Sequence, residues 1–92
     1  MSFVTLTGTL TCGTAQDAEI VKTHLPEHIR LSRAEPGCVW FNVTPGTDPL
    51  VWTLNEGFID QTAFAAHQAR TRASVWWQAT QHIGRNFVMG GG

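Results

Sequence analysis

Ninety-two residues suffice for a single domain, residues 1–92, and a chain this short buries only about two-thirds of the surface its unfolded form exposes, so its own core is thin. A formal charge of −1 without a lysine or arginine cluster excludes the basic footprint that nucleic acid requires, and no apolar run is long enough to span a membrane. Four Trp and five Phe, with no Tyr, concentrate the apolar surface in a few large rings, part of which is expected to line a cavity or a subunit interface.

Met1-Ser2-Phe3-Val4 carries no charged region followed by an apolar run, so no secretory leader is expected and the predicted location is cytoplasmic. From Phe3 to Thr11 apolar residues alternate with threonine, which predicts a half-buried strand. Thr14 then caps a helix, with Asp17 supplying the acidic half of a capping box. Ala18, Val21, Leu25, Ile29 and Ser32 fall on one side at spacings of three and four, and that side is predicted to face a sheet. Pro26 removes one ladder bond and crowds the carbonyl of Lys22, so a kink is expected there. The helix ends at Ala34-Glu35-Pro36-Gly37, because Pro36 pushes Glu35 out of the α region and Gly37 permits a positive φ.

Cys38 to Thr44 and Val51 to Phe58 are β-rich runs joined by Pro45-Gly46-Thr47-Asp48-Pro49, a hairpin loop. Alternation puts Val39, Phe41 and Val43 on one face of the first run, and Trp52, Leu54, Glu56 and Phe58 on one face of the second. A carboxylate therefore sits among apolar residues. Asp60 is predicted to cap a short helix with Phe64 and His67 on one side; the polar step Gln68-Ala69-Arg70-Thr71 then leads to another helix that turns Trp76, Ala79, Thr80 and Ile83 inward and stops at Gly84. Arg85 to Met89 is predicted as the fourth strand, and residues 90–92 as a disordered glycine tail.

This order, βαββααβ, is the split βαβ arrangement called ferredoxin-like: an α+β fold with helices on one face of an antiparallel sheet. Its other face is left uncovered, with Trp40 and Asn42 standing on it, so a homodimer packed sheet to sheet is expected. Cys12 and Cys38 lack metal-ligand spacing and read as small buried apolar side chains. Asn42-Val43-Thr44 fits the glycosylation pattern but reads as ordinary strand. His24-Leu25-Pro26-Glu27-His28 has the order of one zinc peptidase class; Pro26 disturbs the helix that must orient the pair and no third ligand is evident, so His28 is read instead as a core-edge or cavity-wall residue.

Ser32-Arg33-Ala34-Glu35-Pro36-Gly37-Cys38, followed by Phe41, the Asp48-Pro49 turn, Glu56-Gly57-Phe58, Asp60, Ala63-Phe64 and Ala66-His67, resembles the antibiotic biosynthesis monooxygenase (ABM) domain superfamily across nearly the whole chain. The resemblance implies a dimeric ferredoxin-like protein. Many such domains oxidise polycyclic phenols, anthrones or quinols without metal or organic cofactor, while relatives degrade haem or isomerise signalling sugars. The expected function is then a cofactor-independent monooxygenase whose partners are an aromatic small molecule, O2 and a second copy of the chain.

Oxygenation without a cofactor needs a substrate that itself reduces oxygen, so the protein must deprotonate an aromatic acid and keep it dry. His67 is the candidate base. A histidine near pKa 6.5 facing a phenol near 10 leaves a gap of about 3.5 units, roughly 5 kcal/mol, which nearby donors must offset. Arg70, Thr71 and either Asn42 or Asn55 are candidates for that role, and Trp52, Phe58, Trp76 and Trp77, with His28 and Glu56, for the walls around a flat ring. The same residues admit plainer readings: His67 as a structural partner of Glu56, Trp52 and Trp76 as core. A haem-binding or haem-degrading relative and a non-catalytic dimeric binding domain stay open as alternatives.

Overall fold

In the computed structural model, which describes residues 3–91, the alternating N-terminal run is strand β1 (Val4–Thr11), and it is central. It pairs antiparallel with β3 (Val51–Phe58) on one side and β4 (Gly84–Gly91) on the other, and β2 (Cys38–Pro45) closes the hairpin with β3, giving the order β2-β3-β1-β4. Three helices, α1 (Ala15–Arg33), α2 (Gln61–Arg72) and α3 (Val75–Thr80), cover one face. The ferredoxin-like α+β fold read from the element order is the fold observed.

Thr14 does cap α1, its Oγ1 accepting from the Asp17 N–H at 3.1 Å. The helix runs unbroken through Pro26. Pro26 and Lys22 are both exposed, so water can satisfy the carbonyl that the missing N–H leaves behind. The buried stripe is Ala18, Val21, Leu25, His28 and Ser32; Ile29 is only half-buried, and His28 takes the inward place.

Gly37 is needed for a different reason than its freedom to take positive φ, a conformation that among the described residues only Gly8 and Gly91 adopt. A Cβ at Gly37 would run into the Cβ of Ala63 on α2. Close approach, not backbone handedness, therefore selects glycine there, and it lets the turn after α1 touch α2. Just beyond, the β2–β3 register slips between Cys38 and Trp40. This irregularity turns Val39 outward, 44% exposed, while Phe41 and Val43 keep their places in the core.

The second helical region also departs from expectation. The polar step at Gln68–Thr71 does not interrupt α2, which continues to Arg72; the break comes at Ala73-Ser74, where Ser74 Oγ accepts from the Trp77 N–H at 3.2 Å. Gly84 opens β4 opposite Thr11 and does not terminate α3, whose C-cap is Gln81. Gly90 and Gly91, expected to be disordered, pair with Thr5 and Val4, and Gly92 lies outside the described residues. On the open face Trp40 covers Gly57 and donates from Nε1 to Asn55 Oδ1 at 2.7 Å, while Arg33 holds Asn42 at 3.3 Å.

Candidate active site

Between the inner face of the sheet and the helices, the large side chains leave a cavity of about 190 Å³. Leu6, Leu10, Val43, Leu54 and Phe87 form its sheet side, and Trp76 and Trp77 of α3 face them. The rest of the lining is polar or titratable: His28 on α1, Glu56 on β3, His67, Gln68, Thr71 and Arg72 on α2, and Arg85 on β4.

His67 is placed by the cap that starts its helix. Asp60 accepts from the Ala63 N–H at 2.8 Å, and the register so fixed points Phe64 and His67, three residues apart, at the sheet. The imidazole is 3% exposed and packs against Phe58 and Phe41, at centroid distances of 4.8 and 5.5 Å. Its Nδ1 lies 2.7 Å from Glu35 Oε1, on the turn that the Gly37–Ala63 contact brings against α2. The other oxygen of Glu35 accepts from Arg70 Nε at 2.9 Å, and Arg70 Nη2 donates to Ser32 Oγ at 2.9 Å.

A carboxylate can only accept, so Nδ1 carries the proton and Nε2 keeps its lone pair. Thr71 Oγ1 stands 3.4 Å from Nε2, and Glu56 Oε1 also stands 3.4 Å away, not aligned for a hydrogen bond and without another partner. Burial holds the imidazole below its ordinary pKa against the opposing pull of Glu35, so His67 is neutral at pH 7. Burial, and then the charge of Glu35, push Glu56 up to about 8, which leaves it a protonated donor beside His67.

The second histidine differs. His28 lies flat on Trp76, rings 4.8 Å apart and 6° from parallel, with its edge toward Phe41. Burial first, then the charges of Arg70, His67 and Arg85, lower its pKa to about 3, and its buried Nδ1 has no partner. Arg85 is held by its far end: Nη1 donates to the carbonyls of Thr80 and Ile83 at 2.7 and 3.0 Å, and Nη2 to Thr80 Oγ1 at 2.9 Å. The guanidinium also lies 5.0 Å from the centre of the Trp77 ring.

Of the side chains singled out in the sequence, His67, Glu56, Thr71, Trp76, Trp77 and His28 converge on the cavity. Trp52 and Phe58 are buried outside its lining, with Phe58 tilted 35° against the His67 ring. Arg70 reaches the site only through Glu35. Asn42 and Asn55 belong to the open face. Glu27, which the zinc peptidase pattern needs beside a metal, is exposed and paired with Arg30. Among the described residues no group of three or more His, Cys, Asp or Glu could hold a metal ion, and no helix is long and apolar enough to cross a membrane. Glu35 and Arg85 were not expected at the site. The Glu-Pro-Gly turn was legible, but the partner of its carboxylate is 32 residues away.

A putative antibiotic biosynthesis monooxygenase from Nitrosomonas europaea superposes with a TM-score of 0.81 at 22% identity, over 99% of this chain and 89% of that one. SnoaB, a cofactor-independent oxygenase from Streptomyces nogalater, gives 0.81 at 14% identity, over 98% and 92%. A dimeric ferredoxin-like protein from an uncultured marine organism gives 0.69 at 14%, over 99% and 94%. These identities speak of the fold alone. Among proteins of curated function none matches the chain in sequence. Residues 4–82 match the family described as antibiotic biosynthesis monooxygenase, and the chain therefore belongs to the ABM family.

Proposed function

We propose that this protein is a cofactor-independent monooxygenase for a small phenol or quinol, with His67 as its base. The observation that carries this reading is a neutral imidazole whose Nδ1 is tied to a carboxylate while its Nε2 lies in the cavity wall beside Glu56 and Thr71. The volume narrows the substrate: a cavity of about 150 Å³ takes a benzene, so about 190 Å³ suits one ring, or two with the second in the mouth. A tetrapyrrole is far larger, which favours an oxygenase over a haem-binding role.

In the proposed reaction Nε2 takes the phenolic proton, and Glu35 stabilises the imidazolium that forms. Protonated Glu56 and Thr71 donate to the phenolate oxygen, offsetting part of the unfavourable proton transfer. The phenolate gives one electron to O2, and the resulting radical and superoxide combine at a ring carbon that bears hydrogen. The hydroperoxide then loses water, leaving a carbonyl. One oxygen atom ends in the quinone and the other in water, so phenol plus O2 balances without an external reductant. Dry walls keep superoxide and hydroperoxide from side reactions.

Trp40, Phe3 and Val88 on the open sheet face, together with the dimeric relative, support a homodimer packed sheet to sheet. The test of function is oxygen uptake by metal-free protein with a panel of phenols, quinols and anthrones. Uptake should survive chelator and fall at least about a hundredfold in His67→Ala. No uptake across the panel, or none lost in the variant, would leave a binding domain as the better reading.

A further inference from the structure

The proposed reaction spends His67, Glu35, Glu56 and Thr71 but leaves the opposite charge of the cavity unexplained. Arg85 is half-buried in the lining, and its three hydrogen bonds go to neutral oxygens of Thr80 and Ile83. Those bonds occupy the Nη1/Nη2 end of the guanidinium. The side edge, Nε–H and the second Nη2 hydrogen, has no partner among the described residues, and no carboxylate of theirs pairs with this arginine. That edge is not among the fully buried polar atoms, so it stays open to a ligand, while the half-buried charge it carries lacks a counter-ion.

The electrostatics of the whole cavity point the same way. Arg72 is its one exposed lining residue and is also cationic, while both histidines are neutral and Glu56 holds its proton at pH 7. Glu35 is committed to His67 and Arg70 and stands outside the lining. The lining therefore presents two positive charges and no negative one. A second polar atom also waits for a partner: Nδ1 of His28, buried and unbonded.

We propose that the ligand of this cavity is an aromatic carboxylic acid, its carboxylate seated on the Nε/Nη2 edge of Arg85 and its ring beside Trp77 and Trp76. Two parallel N–H donors match the two oxygens of a carboxylate, and the guanidinium is already immobilised by its far end, so little freedom is lost on binding. Its place over the Trp77 ring puts the bound carboxylate beside that indole. The phenolic group then points toward His67. This identification takes the ring and its hydroxyl from the proposed oxygenase function, but the anion site stands on Arg85 alone.

The test is an anaerobic titration of the whole protein, followed by tryptophan quenching, with 6-hydroxy-2-naphthoate and with its methyl ester. Wild type should bind the acid at least about thirtyfold more tightly. In Arg85→Met the preference should shrink to about threefold or less. Arg85→Lys keeps the charge but loses the two-donor edge, and should forfeit about tenfold of the preference; it carries the same test if the methionine variant fails to fold. Equal binding of acid and ester by wild type, failure to bind either, or a preference undiminished in a folded Arg85 variant would each overturn the inference. Oxygen uptake separates the two proposals. An acid bound through Arg85 but not oxidised leaves this site standing and removes the oxygenase; an ester bound and oxidised as well as the acid does the reverse.

Discussion

His67 and His28 share one cavity, with ring centroids 6.1 Å apart, and their surroundings could hardly differ more. Both are buried, and burial disfavours the imidazolium of each. One has a carboxylate 2.7 Å from Nδ1; the other has the face of Trp76 and the charges of two arginines. Burial by itself makes an imidazole an inert ring. What sets His67 apart is the direction that Glu35 imposes, because it fixes which nitrogen is free and would steady the charge that the proposed proton transfer creates.

Removing the ring under His28 should have the largest effect. Trp76 is 8% exposed and closes the cavity, so Trp76→Ala should cost about 3–5 kcal/mol in urea unfolding. A loss below about 1 kcal/mol would mean that α3 collapses inward, and that the His28 corner is soft.

Next in size is Glu35→Gln, which leaves the shape and removes the charge. The amide has no charge with which to stabilise an imidazolium, and turned to present its NH2 it selects the wrong tautomer. Oxygen uptake should fall about a hundredfold, equivalent to nearly 3 kcal/mol. Folding should survive, although Arg70 loses its counter-ion. Unchanged uptake would erase the distinction between the two histidines.

The Glu35–His67 pair also marks where sequence reasoning stops. Features governed by near neighbours were legible: the caps at Thr14 and Asp60, the hairpin, and the phase that put Glu56 inward, while sequence alone leaves the choice between Asn42 and Asn55 open. Periodicity put His67 on the inner side of its helix. It could not name Glu35, because that contact depends on a helix-end turn meeting α2 through the Gly37–Ala63 approach. In the sequence Arg85 is the first residue of a predicted strand, and nothing local shows that its guanidinium turns back to cap α3. Trp52 and Phe58 share the inward phase of Glu56, yet phase says only which side of the sheet a ring joins, not whether it meets packed core or open space.

Titration gives a third contrast. Glu56 rises in the fold from 4.5 to about 8, so its contribution to stability is full below pH 4.5 and is lost as pH rises toward 8. His28 falls from 6.5 to about 3, so its contribution is full above pH 6.5 and is lost as pH drops toward 3. Between those values the slopes of Glu56 and His28 oppose, and the lowered pKa of His67 adds to the acid side, which predicts a stability maximum near pH 6.5 with a decline on either side. Glu56→Gln should remove the alkaline decline and stabilise the protein by on the order of 1–3 kcal/mol at pH 9. Urea midpoints across pH would show it; an alkaline limb that persists in the variant would mean that Glu56 ionises freely in the fold.

His28→Phe should have the smallest effect, and it tests the contrast most directly. Phenylalanine keeps an aromatic ring on Trp76 and an edge toward Phe41, while deleting the buried Nδ1 that has no partner. The unmet polar atom costs about 1–3 kcal/mol where it stands, and the slightly larger ring gives part of that back as crowding. Stability at pH 7 should therefore change by less than about 1 kcal/mol, in either direction. The acid limb should flatten, because the protonation that destabilises the fold below pH 6.5 has lost one of its sites. Oxygen uptake should keep its maximal rate, with a change of a few-fold at most in the substrate concentration needed. Should uptake fall as far as in His67→Ala, the proton would have to travel through both rings, and the carboxylate could no longer be what separates a base from a wall.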